Sequence, residues 1–182
     1  MLLLAPAPVR AATVVTAEVL HAQGRYTIYF EVLIQADRDR ARALMADYRS
    51  WPRLSRSLRS SELLARTQDG TEVVRTVYRP CILFICKTVV HVRRIRQEAG
   101  GDIVTVGVPE SSDFESVTER WRILAHRHGT RVIYTGQLAP KFFVPPWFGP
   151  YLLGRTIRKE LEYATARLEA LARDEDAADE KE

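Results

Sequence analysis

Six apolar residues near the C-terminus, Leu153, Ile157, Leu161, Ala164, Leu168 and Leu171, follow one another at spacings of four, four, three, four and three. That rhythm is a single stripe along an α-helix. Arg155, Arg158, Lys159, Glu162, Glu169 and Arg173 take the other faces, so the stripe alone seeks a partner. Running from about Trp147 to Arg173, such a helix is about 40 Å long at the α-helical rise per residue. It spans a whole small domain, and its stripe must lie across a sheet.

The sheet is written in period two. In RYTIYFEVLIQ, Arg25 to Gln35, the residues Tyr26, Ile28, Phe30, Val32 and Ile34 share one parity, as a strand with one buried face requires. A helix follows, with Asp37 as its N-cap and Ala41, Leu44, Met45 and Tyr48 at spacings of three and four, ending before the Ser50-Trp51-Pro52 turn. Six further strand-like runs come next: Leu58 to Ala65, Glu72 to Tyr78, Phe84 to Arg96, Ile103 to Val108, Phe114 to Leu124 and Thr130 to Leu138. Turn-forming QDG, AGGD, PESSD and HRHG separate the later ones, which makes an antiparallel meander. The apolar parity of the sheet, carried by Ile28, Phe30 and Val32, by Val117, Trp121 and Ile123, and by Val132, Tyr134 and Leu138, faces Leu153, Ile157 and Leu161. Periodicity leaves open whether these residues meet as a filled core or around a pocket.

Between the last strand and the long helix stands APKFFVPPWFGP, Ala139 to Pro150. Its prolines cannot donate ladder hydrogen bonds, so the chain leaves the sheet there, and Pro145 and Pro146 stiffen the approach to the helix. Phe142, Phe143, Trp147 and Phe148 hang from this turn at the mouth between sheet and helix. They form either a gate, with a patch that touches an anionic membrane beside Lys141, Arg155, Arg158 and Lys159, or a plug that closes the end of the core.

Charge and cysteines bear on the setting. The tail from Asp174 to Glu182 holds six of the 23 acids and one of the 27 bases, leaving 17 acids against 26 bases in residues 1 to 173. The folded part is therefore basic, which speaks to association rather than to fold. No run of Lys or Arg and no RNA-binding signature is present, so no nucleic-acid partner is expected. Cys81 and Cys86 bracket ILFI, and in an oxidising compartment they could close a local disulfide; a pair of buried thiols is the alternative. Two thiols without a second pair do not make a zinc site, so no metal and no cofactor are expected. MLLLAPAPVRAATVV places Val9 and Ala11 at the −3 and −1 positions of a secretory cleavage site but lacks the basic start and long apolar run of a signal peptide. It is read as a weak signal peptide, or one beginning upstream; a frayed cytoplasmic N-terminus is the alternative. Residues 1–23 are thus a signal remnant and N-terminal extension, 24–173 one domain, and 174–182 a disordered acidic tail. No run approaches the apolar length of a membrane span.

This order of elements resembles the START-like superfamily (SRPBCC, helix-grip fold), in particular its polyketide cyclase/dehydrase and coenzyme-Q-binding branch. The residues that carry the likeness are ARALMADYRSWPRL, Ala41 to Leu54, the ERWRIL and GTRVIYTGQLAP strands, and the Pro-aromatic entry to the final helix. The resemblance implies an α+β fold in which a curved antiparallel sheet of about seven strands grips the C-terminal helix. It also implies an elongated apolar cavity between them for lipids, quinones, sterols or polyketides. Its walls would be Ile28, Phe30, Val32, Trp121, Ile123, Val132, Tyr134, Leu153, Ile157 and Leu161.

Candidates for chemistry are thin. Glu119 shares the parity of Trp121, and His91 lies on an otherwise apolar strand; a structural ion pair and a satisfied core histidine are the simpler readings of each. His126 and His128 fall in a turn. With no Ser/His/Asp set and no phosphate loop, the reading favours a monomeric, non-catalytic carrier of an apolar small molecule, periplasmic or exported. The alternatives are a cyclase or dehydratase, and a cytoplasmic ribosome-association module such as this branch also resembles.

Overall fold

The apolar parity of RYTIYFEVLI becomes the central fact of the computed structural model, which describes residues 12–82 and 85–179. Strand β2 (Arg25–Ile34) buries Tyr26, Ile28, Phe30, Val32 and Ile34 almost completely. It pairs on one side with β1 (Thr13–Ala22) and on the other with β10 (Gly129–Pro140), the last strand of the chain. Pairing the second strand with the last closes the domain across its whole sequence.

The sheet has eight antiparallel strands in the order β1-β2-β10-β9-β8-β7-β4-β3. The remaining members are β3 (Leu58–Arg66), β4 (Glu72–Tyr78), β7 (Val89–Gln97), β8 (Ile103–Gly107) and β9 (Phe114–His126). Between β4 and β7 a separate small hairpin pairs β5 (Cys81–Ile82) with β6 (Ile85–Cys86), and a disulfide joins Cys81 to Cys86 across it.

Helix α1 (Arg38–Ala46) starts where the sequence asks it to, the Asp37 carboxylate accepting from the backbone N–H of Asp39 and Arg40. Helix α2 (Gly149–Asp179), 31 residues and about 46 Å long, lies over the sheet and touches β1, β2 and α1. Leu168, Leu171 and Ala172 of α2 seal a core with Phe30, Val32 and Val132. The curved sheet on a long C-terminal helix expected from the sequence is the fold observed.

Three details differ. The sheet has one strand more than the seven expected, because Thr13–Ala22, assigned above to an N-terminal extension, is β1; it joins β2 through Gln23 and Gly24, both at positive φ, as a two-residue hairpin loop demands. The run read as one strand from Phe84 to Arg96 is interrupted at Lys87 and Thr88, since Cys86 pairs back onto Cys81 while Val89 joins β4. Helix α2 continues to Asp179 instead of stopping near Arg173, helped by Ala177 and Ala178 in the acidic tail. The cleavage site expected at Ala11, residue Phe84 and the last three residues of the tail lie outside the described residues.

Candidate functional site

Over its N-terminal half α2 approaches the edge strand β1 but stands away from β7 and β9, and a cavity of two lobes fills the gap. The proximal lobe, about 210 Å³, has Val89, His91, Val117 and Leu138 on the sheet side and Leu153 and Ile157 on the helix side, with Phe114 and Phe142 at one end. The distal lobe, about 170 Å³, lies between Trp121 and Tyr134 of the sheet, Ala164 and Leu168 of α2, and Met45 and Trp51 near α1. Tyr78, Arg93, Glu119, Glu160 and Leu161 line both, so they form the waist between them.

The waist is polar and built by strand register. Inward parity on β7 takes His91, Arg93 and Ile95; on β9 it takes Val117, Glu119 and Trp121. Arg93 Nη1 donates to Glu119 Oε2 at 3.1 Å, and Nη2 donates to Thr76 Oγ1 at 2.9 Å and to the Tyr78 hydroxyl at 3.0 Å. The Tyr134 hydroxyl donates to the other oxygen, Glu119 Oε1, at 3.0 Å. Gly136 stands opposite Glu119 in the ladder, and a Cβ there would lie 2.6 Å from the Tyr134 oxygen, so the glycine is what lets that hydroxyl reach the carboxylate. Burial opposes the Arg93 charge, but Tyr78 and Glu119 beside it outweigh burial and hold its pKa above the ordinary value. Burial, reinforced by Glu119, pushes the Tyr134 phenol well above the usual range, so it remains a donor. Glu160 closes the helix side: it accepts from the Ser55 hydroxyl and, at 3.3 Å, from the Ser57 N–H, tying α2 to the loop before β3.

His91 is the other polar group in the proximal lobe. It is buried against Phe114, ring centroids 5.2 Å apart, and its Nε2 has no hydrogen-bond partner among the described residues. Burial, and secondarily the neighbouring Arg93 charge, depress its pKa well below 6.5, leaving a neutral imidazole. The unfolded chain takes up a proton at this residue below about pH 6.5 and the folded chain does not, so stability is present above that pH and is lost as pH falls toward the depressed folded value. The expected slope is roughly 1.4 kcal/mol per pH unit in that window. Urea midpoints across the window check it: the wild type should fall relative to His91→Gln, and parallel profiles would contradict the assignment.

Of the residues expected to wall a cavity, Trp121, Tyr134, Leu153, Ile157 and Leu161 do line the lobes. Ile28, Phe30, Val32, Ile123 and Val132 do not; they are sealed in the core, because α2 lies flat on the sheet beyond Leu168. Glu119 and His91 both face the cavity, Glu119 as the partner of Arg93. The four gate residues divide: Phe142 is half-buried in the proximal lobe with the Lys87 ammonium 5.4 Å from its ring centroid, while Phe143, Trp147 and Phe148 are exposed. Arg93, Tyr78 and Glu160 were not anticipated. The signal for Arg93 was its place two residues after His91 in VVHVRRIRQ, obscured by the neighbouring arginines, which read as a solvated face. Among the described residues no group of three or more His, Cys, Asp or Glu is placed to hold a metal, and no helix is long and apolar enough to cross a membrane.

A family model described as polyketide cyclase/dehydrase and lipid transport matches residues 25–173. No curated protein matches the sequence significantly. Among solved structures, a START superfamily protein from Mycobacterium smegmatis is similar with a TM-score of 0.61 at 19% identity, covering 82% of this chain and 97% of that one. The Zhui aromatase/cyclase from Streptomyces sp. R1128 is similar with a TM-score of 0.65 at 15% identity, covering 79% of this chain and 92% of that one. A STAR-related lipid transfer protein from Xanthomonas axonopodis gives 0.63 at 16% identity over 86% of this chain and 98% of that one. At these identities the likeness is one of fold.

Proposed function

Because the chain belongs to the polyketide cyclase/dehydrase and lipid transport family, we propose that it binds and carries an apolar small molecule, without transforming it, between its sheet and its C-terminal helix. The cargo class is a lipid, an isoprenoid quinone or a polyketide-like compound. The observation that supports this most is the division of the cavity into two mainly apolar lobes around a waist in which the Arg93 and Glu119 charges are paired with each other. Glu119, the one acidic candidate for chemistry, has one oxygen on Arg93 and the other on Tyr134, an arrangement that fixes a carboxylate rather than leaving it poised to move a proton. A cargo with an oxygen function between two apolar arms would fit the lobes and meet Tyr78 or Arg93 at the waist. The cavity is completed within one chain, which supports a monomeric carrier. The Cys81–Cys86 disulfide supports an oxidising compartment, and we propose that the protein is exported, as in a periplasm.

Native mass spectrometry of the purified protein, followed by solvent extraction, tests the reading. A stoichiometric lipid or quinone released on extraction is the expected result. Folded protein that is empty and takes up no added lipid or quinone would sink it.

His91 favours a second reading, a cyclase or dehydratase, because a neutral imidazole with an unpartnered nitrogen in an apolar lobe is suited to proton transfer. On that reading His91→Ala and Glu119→Gln stop turnover while cargo affinity persists.

A further inference from the structure

The turn between β10 and α2 sends its aromatic rings in two directions. Phe142 lines the proximal lobe, whereas Phe143, Trp147 and Phe148 stand in solvent, 82%, 93% and 58% exposed. Tyr151, in the first turn of α2, adds a further ring at 70% exposure. Large aromatics are seldom left bare in such a cluster without a use.

Cations adjoin them. Tyr151, Arg155, Arg158 and Glu162 follow one another on α2 at helical spacing, and with Lys159 they line a shallow groove against Ala17 and Val19 of the edge strand β1. Arg158 is paired with Glu162 at 3.4 Å; Arg155 and Lys159, both exposed, have no ion-pair partner among the described residues. Gly154 faces β1, where a Cβ would make ordinary van der Waals contact with Val19 at 3.4 Å.

An acidic protein would match these cations but not the bare rings around a lobe suited to apolar cargo. A bilayer of anionic phospholipid matches both: aromatic rings settle at headgroup level and cations meet the phosphates. We infer that the pole formed by the β10–α2 turn and the first turns of α2 docks on an anionic phospholipid surface, with Trp147 and Phe148 among the headgroups and Arg155 and Lys159 on phosphate. This deepens the carrier reading, on which it rests for its purpose: the turn that enters the membrane also supplies the Phe142 wall of the lobe, giving cargo a short path between the two.

The test is flotation of the full chain with vesicles, in parallel with extraction of its cargo. The wild type is expected to float with vesicles of equal phosphatidylcholine and phosphatidylglycerol, to remain below with phosphatidylcholine alone, and to be released by salt. Arg155→Gln with Lys159→Gln should weaken binding about tenfold or more, and Trp147→Ser with Phe148→Ser should abolish it while leaving the extracted cargo unchanged. Wild-type protein that ignores both vesicles, or substitutions without effect, overturns the inference. So does a dimer seen by light scattering that Trp147→Ser dissolves, since the patch is then a face between two copies. Cargo-free protein that still floats leaves the docking standing and removes the carrier reading instead.

Discussion

Glu119→Ala is expected to destabilise the protein by roughly 3–5 kcal/mol, as removal of one partner from a buried ion pair typically does. The side chains of Arg93 and Glu119 are 7% and 13% exposed, so the guanidinium left behind cannot turn to water. Arginine does not shed its proton in compensation. Thr76 and Tyr78 would remain as acceptors on Nη2, while Nη1 would lose its charged partner and Nε has none among the described residues. Glu119→Gln keeps an acceptor for Tyr134 or Arg93 and should cost about 1–3 kcal/mol. The informative comparison is the pair Arg93→Met with Glu119→Leu, which removes both charges together. By the general behaviour of buried ion pairs it should restore stability to the wild-type level or above. Urea unfolding of the four proteins, read at constant slope, decides the matter. A Glu119→Ala cost below about 1 kcal/mol would mean that water reaches the waist and the pair behaves as a surface one. Recovery in the double variant combined with lost cargo selectivity would mean that the pair is kept for recognition at no gain in stability.

The legible part of this molecule is the part whose partners are fixed by period alone. Tyr26 to Ile34 on β2 and Leu153 to Leu171 on α2 could each be assigned a buried face without knowing what lay opposite. β1 was missed because TVVTAEVLHA is an edge strand with no fully buried residue, and because its hairpin turns on Gln23-Gly24 rather than a more recognisable dipeptide. The cavity was illegible for a different reason. Leu161 and Leu171 belong to one stripe, nearly three turns apart, yet the first bounds the waist and the second is sealed in the core. What separates them is the residues across from them, Glu119 and Arg93 for one and the core of β2 and β10 for the other, and no helical period contains that information. Phe142 and Phe143 make the same point over one residue: adjacent rings on a proline-stiffened turn, one inside the lobe and one in water. Glu119 was found by parity with an ion pair as its simpler reading, but the partner was not legible, since Arg93 is 26 residues away in the chain.

Ile157→Arg and Ile157→Asp are expected to abolish cargo uptake, lowering affinity by about a hundredfold or more. That corresponds to the 2–3 kcal/mol or so at the low end of what an uncompensated polar group costs in an apolar site. Ile157 lines the proximal lobe from α2, opposite a sheet surface of Val89, Val117 and Leu138 in which the neutral His91 is the one polar side chain short of the waist. The residue is only half-buried, so either side chain can bend its charge toward water when the lobe is empty, and the variants should fold. Cargo occupying the lobe would force that charge to desolvate, which is why the penalty should fall on binding. Ile157→Leu conserves volume and should take up cargo within a few-fold of the wild type. Using both signs of charge separates two causes: loss in both variants is desolvation, whereas a loss confined to Ile157→Asp would show that the cargo is itself anionic and that Ile157→Arg has given it a partner. Uptake at the wild-type level by both variants, folded as judged by circular dichroism, would mean that cargo does not occupy the proximal lobe. The two lobes would then have to be assigned separately, with the distal one behind the waist as the remaining seat.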